Sequence, residues 1–189
     1  PDLAASGIEC VRGDIRDAET VRRACRDREA VVHAAAVAGI WGRRSVFWDT
    51  NGGGTENVLA GCRACGVSRL VFTSSPSVVF GGRRIRNGTE ALPYPERYTA
   101  PYPASKAAAE QRVLAADGKS LRTCALRPHL IWGPGDPHLV PRLLERARAG
   151  TLRQVGDGTN RVDLTYVDNA AAAHIRALDR LGPDGPARG

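Results

Sequence analysis

Two short stretches carry residue types that could do chemistry. In Tyr102-Pro103-Ala104-Ser105-Lys106 a tyrosine and a lysine stand four residues apart. At a helix start that spacing puts both side chains on one face. A cation beside a phenol stabilises the tyrosinate and lowers its pKa, which makes Tyr102 a candidate general acid/base near neutral pH. Lys106 and Lys119 are the only lysines in an arginine-rich chain, so the position of each is informative. The second stretch is Thr73-Ser74-Ser75, directly after the apolar run Leu70-Val71-Phe72. A hydroxyl at the end of a buried strand can hydrogen-bond a substrate carbonyl as charge develops on its oxygen. Each stretch also has a plainer reading: a surface Tyr/Lys pair at a helix N-terminus, and hydroxyls that satisfy backbone groups at a strand end.

Such groups work only if the fold brings residues 73–75 and 102–106 together. Ile8-Glu9-Cys10-Val11 reads as a short strand ending at Gly13-Asp14. Asp17 can cap a helix whose Val21, Ala24 and Cys25 form one apolar face. Ala30-Val31-Val32-His33-Ala34 has the compact apolar form of a buried parallel strand. A loop with Trp41 and Trp48 follows, then a helix from Thr55 to Ala64 with Gly66 as its C-cap. Leu70 to Thr73 is a second buried strand. The polar, proline-bearing stretch from Gly81 to Pro101 reads as a long loop of the kind that is often functional. Ala104 to Ala116 reads as a helix, Leu121 to Leu126 as a strand, and Pro137 to Ala149 as a helix with proline near its start. Val162 to Thr165 reads as a short strand, and Asp168 as the cap of a last helix reaching Leu181. Alternating strands and helices predict an α/β fold, a parallel sheet with helices on both faces. Ligands then bind at the carboxyl ends of the strands, after His33, Thr73 and Leu126.

The pieces Val31 to Ala36, Asn51 to Val58, Phe72 to Gly81, Tyr102 to Lys106, Arg127 to Gly133 and Val167-Asp168-Asn169 occur in an order that resembles the extended short-chain dehydrogenases/reductases, over nearly the whole chain. Within them the chain looks most like the 3β-hydroxysteroid dehydrogenase branch, through Thr73 to Phe80, Asn87-Gly88-Thr89-Glu90 and Arg127 to Pro137. It is similar both to 2-alkyl-3-oxoalkanoate reductases and to sterol 4-carboxylate 3-dehydrogenases, and the Trp41-Gly42 and Trp132-Gly133 pairs favour the former.

The resemblance implies a Rossmann-like doubly wound parallel sheet and NAD or NADP as cofactor. It implies that Tyr102 is the acid/base, that Lys106 tunes it and bonds the nicotinamide ribose, and that Ser75 polarises the substrate, with Ser74 and Ser77 as rival claimants. Asp14 and Ile15 would lie beside the adenine. His33, Ala34, Ala35 and Ala36 would line the cofactor, and Thr73 and Ser74 would border it. Asn51 would hold active-site backbone and water, and Pro128, His129, Leu130 and Ile131 would pass the nicotinamide amide. Asp168 would be structural, capping the last helix. The expected division is a partial dinucleotide-binding core over residues 1–135 and part of a substrate region over 136–189. A homodimer through the helices at Thr55 to Cys65 and Tyr102 to Asp117 is also implied.

Two departures stand out. The strand, GxxGxxG turn and helix that open family members, and the residue that selects NAD or NADP, are absent from this sequence, as is the usual C-terminal substrate region. The 189-residue chain alone is therefore expected to bind cofactor weakly or not at all. Gly52-Gly53-Gly54 stand at a helix entrance where bulkier residues are usual, and glycine weakens a helix by up to about 1 kcal/mol each.

The implied reaction interconverts a ketone and a secondary alcohol on a bulky apolar small molecule, a β-keto or β-hydroxy acid. A carboxylate on that substrate would suit His129 and nearby arginines, and Trp41, Phe80, Ile131 and Trp132 would suit its apolar part. Those aromatics could equally be core residues. A nucleotide-sugar epimerase or dehydratase is the enzymatic alternative; Pro76 after Ser75, where a dehydratase wants an acid, argues against a dehydratase. A non-catalytic NAD(P)-binding regulatory protein is the alternative of another class, and the retained Tyr102 and Lys106 argue against it.

Composition bounds the rest. With 189 residues, 42% hydrophobic and 25% charged, the chain suits one globular α/β domain. No apolar run approaches the ~18 residues of a membrane span, and the N-terminus has no signal-peptide pattern, so a cytoplasmic location is expected. The net charge of +7 raises the question of nucleic acid. The arginines are scattered over presumed helix faces, such as Arg142, Arg146 and Arg148, with no basic run or aromatic platform, and no nucleic-acid partner is expected. Five cysteines include a single CxxC, Cys62 and Cys65, without a second ligand pair. These read as helix-packing cysteines, and no metal is expected. Asn87-Gly88-Thr89 reads as a turn.

Overall fold

The computed structural model describes residues 3–39, 41–136, 139–154, 156–182 and 185–187. Its centre is a parallel sheet of β1 (Ala30–His33), β2 (Arg69–Thr73) and β3 (Arg122–Leu126), in the order β1-β2-β3. Val31 pairs with Leu70 and Leu70 with Thr123, so the three carboxyl ends lie side by side.

Helices lie on both faces, as the alternation predicts. α1 (Ala18–Cys25) starts at Asp17, whose carboxylate accepts the backbone N–H groups of Glu19 and Thr20. It turns Val21 and Cys25, one helical turn apart, into the core. α3 (Gly54–Cys65) ends at Gly66, which takes φ 72° and donates back to Arg63 and Cys62. That left-handed residue suits glycine. α4 (Pro101–Ala115) begins on a proline whose missing N–H costs nothing there. Val21, Val58, Leu59, Cys62 and Val113 from these helices pack with Leu70 and Phe72 on one side of β2. Val71, pointing the other way, packs with Cys124 of β3, Ala177 of the last helix, α6 (Val167–Arg180), and Leu181 just beyond it. A second, two-stranded parallel sheet pairs β4 (Ile131–Trp132) with β5 (Thr165–Tyr166), on either side of the expected boundary at 135, and α5 (Leu139–Arg148) lies between them in sequence.

Several expectations need correction. Residues 8–11 form no strand: a strand needs a partner, and among the described residues this segment pairs with none. Trp48 is not in a loop, because α2 (Arg44–Phe47), a π-helical turn over Trp48–Gly53 and α3 form one helical run. The triple glycine therefore lies inside a helix rather than at its entrance. Close packing explains two of the three: a Cβ on Gly52 would lie 3.1 Å from the Arg112 guanidinium, and one on Gly54 would lie 2.5 and 2.6 Å from Ile15 side-chain atoms. Only Thr165 of the strand expected over 162–165 pairs, together with Tyr166. Asp168 does not cap α6, whose cap is Tyr166 with no side-chain hydrogen bond. It sits in the first turn, where a negative charge favours the helix dipole. Of the helix expected from Pro137, Pro137 lies outside the described residues and the helix runs from Leu139 to Arg148.

The Gly54 contact makes a prediction. Gly54→Ala drives a methyl into the Ile15 side chain, and overpacking of this kind costs about 1–3 kcal/mol. At about 2–4 °C per kcal/mol for a domain of this size, calorimetry should show a clear fall in melting temperature, despite alanine's better helix propensity.

Candidate active site

The carboxyl ends of β1 and β2 and the start of α4 converge on Lys106. Its side chain runs inward from the second turn of α4 and is 2% exposed. Nζ donates to the backbone carbonyl of Thr73 at 2.6 Å and stands 3.9 Å from the centre of the Phe72 ring. Burial pulls the ammonium's pKa down to about 8, against the raising influence of Glu110. Lys106 is thus still mostly charged at pH 7.

Tyr102 sits one turn earlier, half-buried. Burial raises its phenol pKa, and a hydrogen bond with the Ser75 side chain pulls the other way. This corrects the expectation of a phenol lowered by Lys106: the lysine spends its short hydrogen bond on Thr73, and desolvation dominates at Tyr102. The serine expected beside the tyrosine is therefore there. Ser75 Oγ also accepts the backbone N–H of Ser77 and shares a hydrogen bond with Ser77 Oγ at 2.9 Å, capping a short 3-10 turn, Pro76–Val79. The plain strand-end role of this serine is thus present, and the same hydroxyl lies beside the Tyr102 phenol. Ser74 Oγ is buried near Glu110, whose ionised form it favours, yet it makes no well-formed hydrogen bond.

Asn51 joins three segments. Its amide oxygen accepts the Val37 N–H at 2.8 Å, and its Nδ2 donates to the Val37 carbonyl and to Ser105 Oγ. Ser105 Oγ in turn donates to the Tyr102 carbonyl. The loop after β1, the π-turn and α4 are thereby pinned together. On that loop Ala34, Ala35 and Ala36 are exposed and small. His33 is buried at the strand end and meets Thr55 Oγ1 at 2.9 Å. Thr55 donates to the Asn51 carbonyl, so the His33 Nε2 bears the proton.

Burial, with Lys106 nearby, drives the pKa of His33 down to about 4. A neutral buried histidine makes the unfolded chain the better proton acceptor below pH 6.5. The stability it contributes is full above about 6.5, its unfolded value, and is lost as pH falls toward 4. Urea titrations at pH 7 and pH 5 should show a smaller acid-side loss for His33→Gln than for the parent.

Asp14 is exposed and chelated by Arg16, which holds its carboxyl down to about 2. Ile15 is half-buried and packs on the core beside Gly54. Pro128 and His129 are half-buried, and Leu130 takes φ 41°, a left-handed backbone unfavourable for a bulky residue. Leu130, Ile131 and Trp132 line an open groove of about 700 Å³ with Leu139, Leu143, Arg142 and Arg146. Trp41 is 91% exposed, and Phe80, Ile131 and Trp132 are also exposed, so the core reading of these aromatics fails. The helix-packing reading holds for Cys62, which is fully buried, its thiol pushed up to about 12 by burial; Cys65 is only half-buried.

Sequence reasoning missed two groups. Glu110 is fully buried and paired with Arg127, and Tyr94 donates to it. Its position one turn after Lys106 was the available signal. His174, on α6, meets Thr73 Oγ1 at 2.7 Å, and its other ring nitrogen bonds the Ala170 carbonyl. No local pattern marks that contact, which spans 101 residues.

Residues 2–188 match the 3-beta hydroxysteroid dehydrogenase/isomerase family. A 2-alkyl-3-oxoalkanoate reductase of Stenotrophomonas maltophilia is 53% identical over 97% of this chain and 56% of its own length. A bovine (Bos taurus) sterol-4-alpha-carboxylate 3-dehydrogenase, decarboxylating, is 39% identical over 94% of this chain and 51% of its own. The chain thus spans about half the length of these curated relatives. Among solved structures, the dTDP-glucose 4,6-dehydratase DesIV of Streptomyces venezuelae, with NAD and TYD bound, superposes with a TM-score of 0.78 at 31% identity, over 91% of this chain and 54% of that one. The Thermus thermophilus UDP-glucose 4-epimerase complexed with NAD gives 0.74 at 32% identity, over 91% and 60%.

Proposed function

Because the chain belongs to the 3-beta hydroxysteroid dehydrogenase/isomerase family, we propose that the protein it represents is an NAD(P)-dependent oxidoreductase. It interconverts a ketone and a secondary alcohol on a bulky apolar β-keto or β-hydroxy acid. The observation that carries this reading is the convergence of Tyr102, Ser75 and Lys106 where β2 ends and α4 begins.

The residues fit a dinucleotide. An ammonium has three N–H donors, and Lys106 spends one on Thr73. The others suit the hydroxyls of a nicotinamide ribose. Ala34, Ala35 and Ala36 offer small side chains on a backbone that Asn51 holds still. Ser74 Oγ is a buried hydroxyl in want of a partner. His33 and Thr73 would border the same cleft, Asp14 and Ile15 would lie by the adenine, and Pro128 to Ile131 by the amide. When bound, the nicotinamide supplies or accepts the hydride.

The chain's own part is the proton. Ser75 Oγ orients the substrate oxygen beside the phenol. A phenol raised by burial keeps its proton at neutral pH, which suits Tyr102 to donate that proton to the oxygen of a ketone under reduction. In the other direction the phenolate takes it back. The substrate's apolar body would lie along Leu130, Ile131 and Trp132, with Arg142 and Arg146 near for a carboxylate.

No described helix is long and apolar enough to cross a membrane. A cytoplasmic homodimer using α3 and α4 completes the proposal. A second reading, nucleotide-sugar chemistry, draws on the epimerase and dehydratase structures above. The test is a 340 nm assay of the full-length gene product with NADH and NADPH. A long-chain 2-alkyl-3-keto acid and a UDP-sugar are offered in parallel. Oxidation of the reduced cofactor with the keto acid is the expected result. Silence there with turnover of the sugar would move the function to sugar chemistry.

A further inference from the structure

Glu110 is a costly residue to which the reaction above gives no task. Its side chain has no exposed surface, and a charge buried without partners costs several kcal/mol. Here the partners are complete. Arg127 donates from Nε to both carboxylate oxygens, at 3.2 and 3.1 Å, and from Nη2 at 2.6 Å. Tyr94 donates its hydroxyl at 2.6 Å. Tyr94 comes from the long loop, Arg127 from the segment after β3, and Glu110 from α4, so three separate stretches meet at one carboxylate. On α4, Glu110 lies one turn beyond Lys106 and two beyond Tyr102, on the same face.

Resting on the reading of Lys106 as the site lysine, we infer that Glu110 is a positioning residue: its carboxylate, clamped by Arg127 and Tyr94, holds the Lys106 ammonium charged and aimed at the Thr73 carbonyl.

The surroundings of Lys106 make the need plain. From β1 it faces His33, held neutral; from β2, the Phe72 ring and the Thr73 carbonyl, with His174 of α6 behind Thr73 Oγ1; from α4, Tyr102 and Glu110. Arg127 lies beyond Glu110. Glu110 is the carboxylate whose field acts on the lysine, opposing a burial that would otherwise drive its proton off. A nearby opposite charge favours a neighbour's charged form, and Glu110 stands on the next turn of the same helix face. The clamp keeps the carboxylate ionised, since its hydrogen bonds overcome burial and lower its own pKa.

The test reads the lysine directly. Full-length protein labelled with [13Cε]lysine is titrated by NMR, with the Lys106 signal identified from its loss in Lys106→Arg. Glu110→Gln is expected to move the Lys106 titration down by one unit or more and to draw the alkaline limb of kcat down with it. Glu110→Asp, which keeps the charge, is expected to restore most of both. Should Arg127, left unpaired, prevent Glu110→Gln from folding, Glu110→Gln/Arg127→Leu removes both members of the pair and is expected to show the same downward shift. An unmoved Lys106 titration in a folded variant lacking the carboxylate overturns the inference, even if turnover falls. A lowered titration with unchanged turnover upholds the influence of Glu110 on the lysine and instead removes Lys106 from the reaction.

Discussion

Tyr102→Phe is expected to lower keto-acid turnover by about 10²–10⁴-fold, the usual worth of a positioned general acid, and to leave the fold intact. The two other tyrosines near the site spend their hydroxyls on structure, Tyr94 on Glu110 and Tyr98 on the Val78 carbonyl. The Tyr102 hydroxyl meets Ser75. What Tyr102 gives the scaffold is its backbone carbonyl, the acceptor for Ser105 Oγ, and phenylalanine keeps that. Because the proton moves only in the transition state, kcat and kcat/KM should fall together. Steady-state kinetics on the full-length variant decide the matter: turnover within a few-fold of the parent would remove Tyr102 from the chemistry and favour a non-catalytic, cofactor-binding protein.

The second large effect concerns stability. Arg127→Ala removes the cation from a fully buried carboxylate. Breaking one side of a buried ion pair costs about 3–5 kcal/mol, and the lower end applies because the Arg127 side chain is 20% exposed. The loss should depend on pH. In the parent, burial alone would raise Glu110, but hydrogen bonds from Arg127 and Tyr94, the nearby Ser74 hydroxyl and the charge of Arg127 lower it below 4.5. Its stabilising effect is therefore full above about pH 4.5 and fades as pH falls through the lowered value. Without Arg127, burial dominates and the folded pKa moves above the unfolded one. The variant's deficit is then greatest near neutrality and shrinks in acid. Chemical denaturation at pH 7 and pH 5 tests this, and an equal deficit at both would mean that Glu110 is not the group left uncompensated.

Legibility followed the range of the interactions. Features set within a few residues were readable: the Asp17 cap, the Gly66 terminus, the strands at Ala30 to His33 and Leu70 to Thr73, and the Tyr102/Lys106 spacing; the first strand, though, is less buried than its composition suggests, with Val32 exposed. Family likeness added Ser75 beside Tyr102 and Asn51 as a brace, and both positions hold such contacts. What was missed depends on partners far along the chain. Residues 8–11 have the composition of a strand but no neighbour to pair with. The glycines at 52–54 looked like an interrupted helix, because Ile15 and Arg112, which need the space, are remote in sequence. The phenol's pKa was misjudged because spacing shows the nearby cation but not the depth of burial.

Val71 and the Thr73 hydroxyl both depend on α6, which covers one side of β2 and brings His174 to Thr73 across 101 residues. On a ribosome working at about 5–20 residues per second, the segment separating the two takes on the order of 5–20 seconds to make. Through that interval the nascent sheet shows Val71, and in its second half Cys124 as well, without their cover. The His174 contact at Thr73 is therefore among the last parts of the site to form during synthesis, after the contacts among residues 33–127 are already possible.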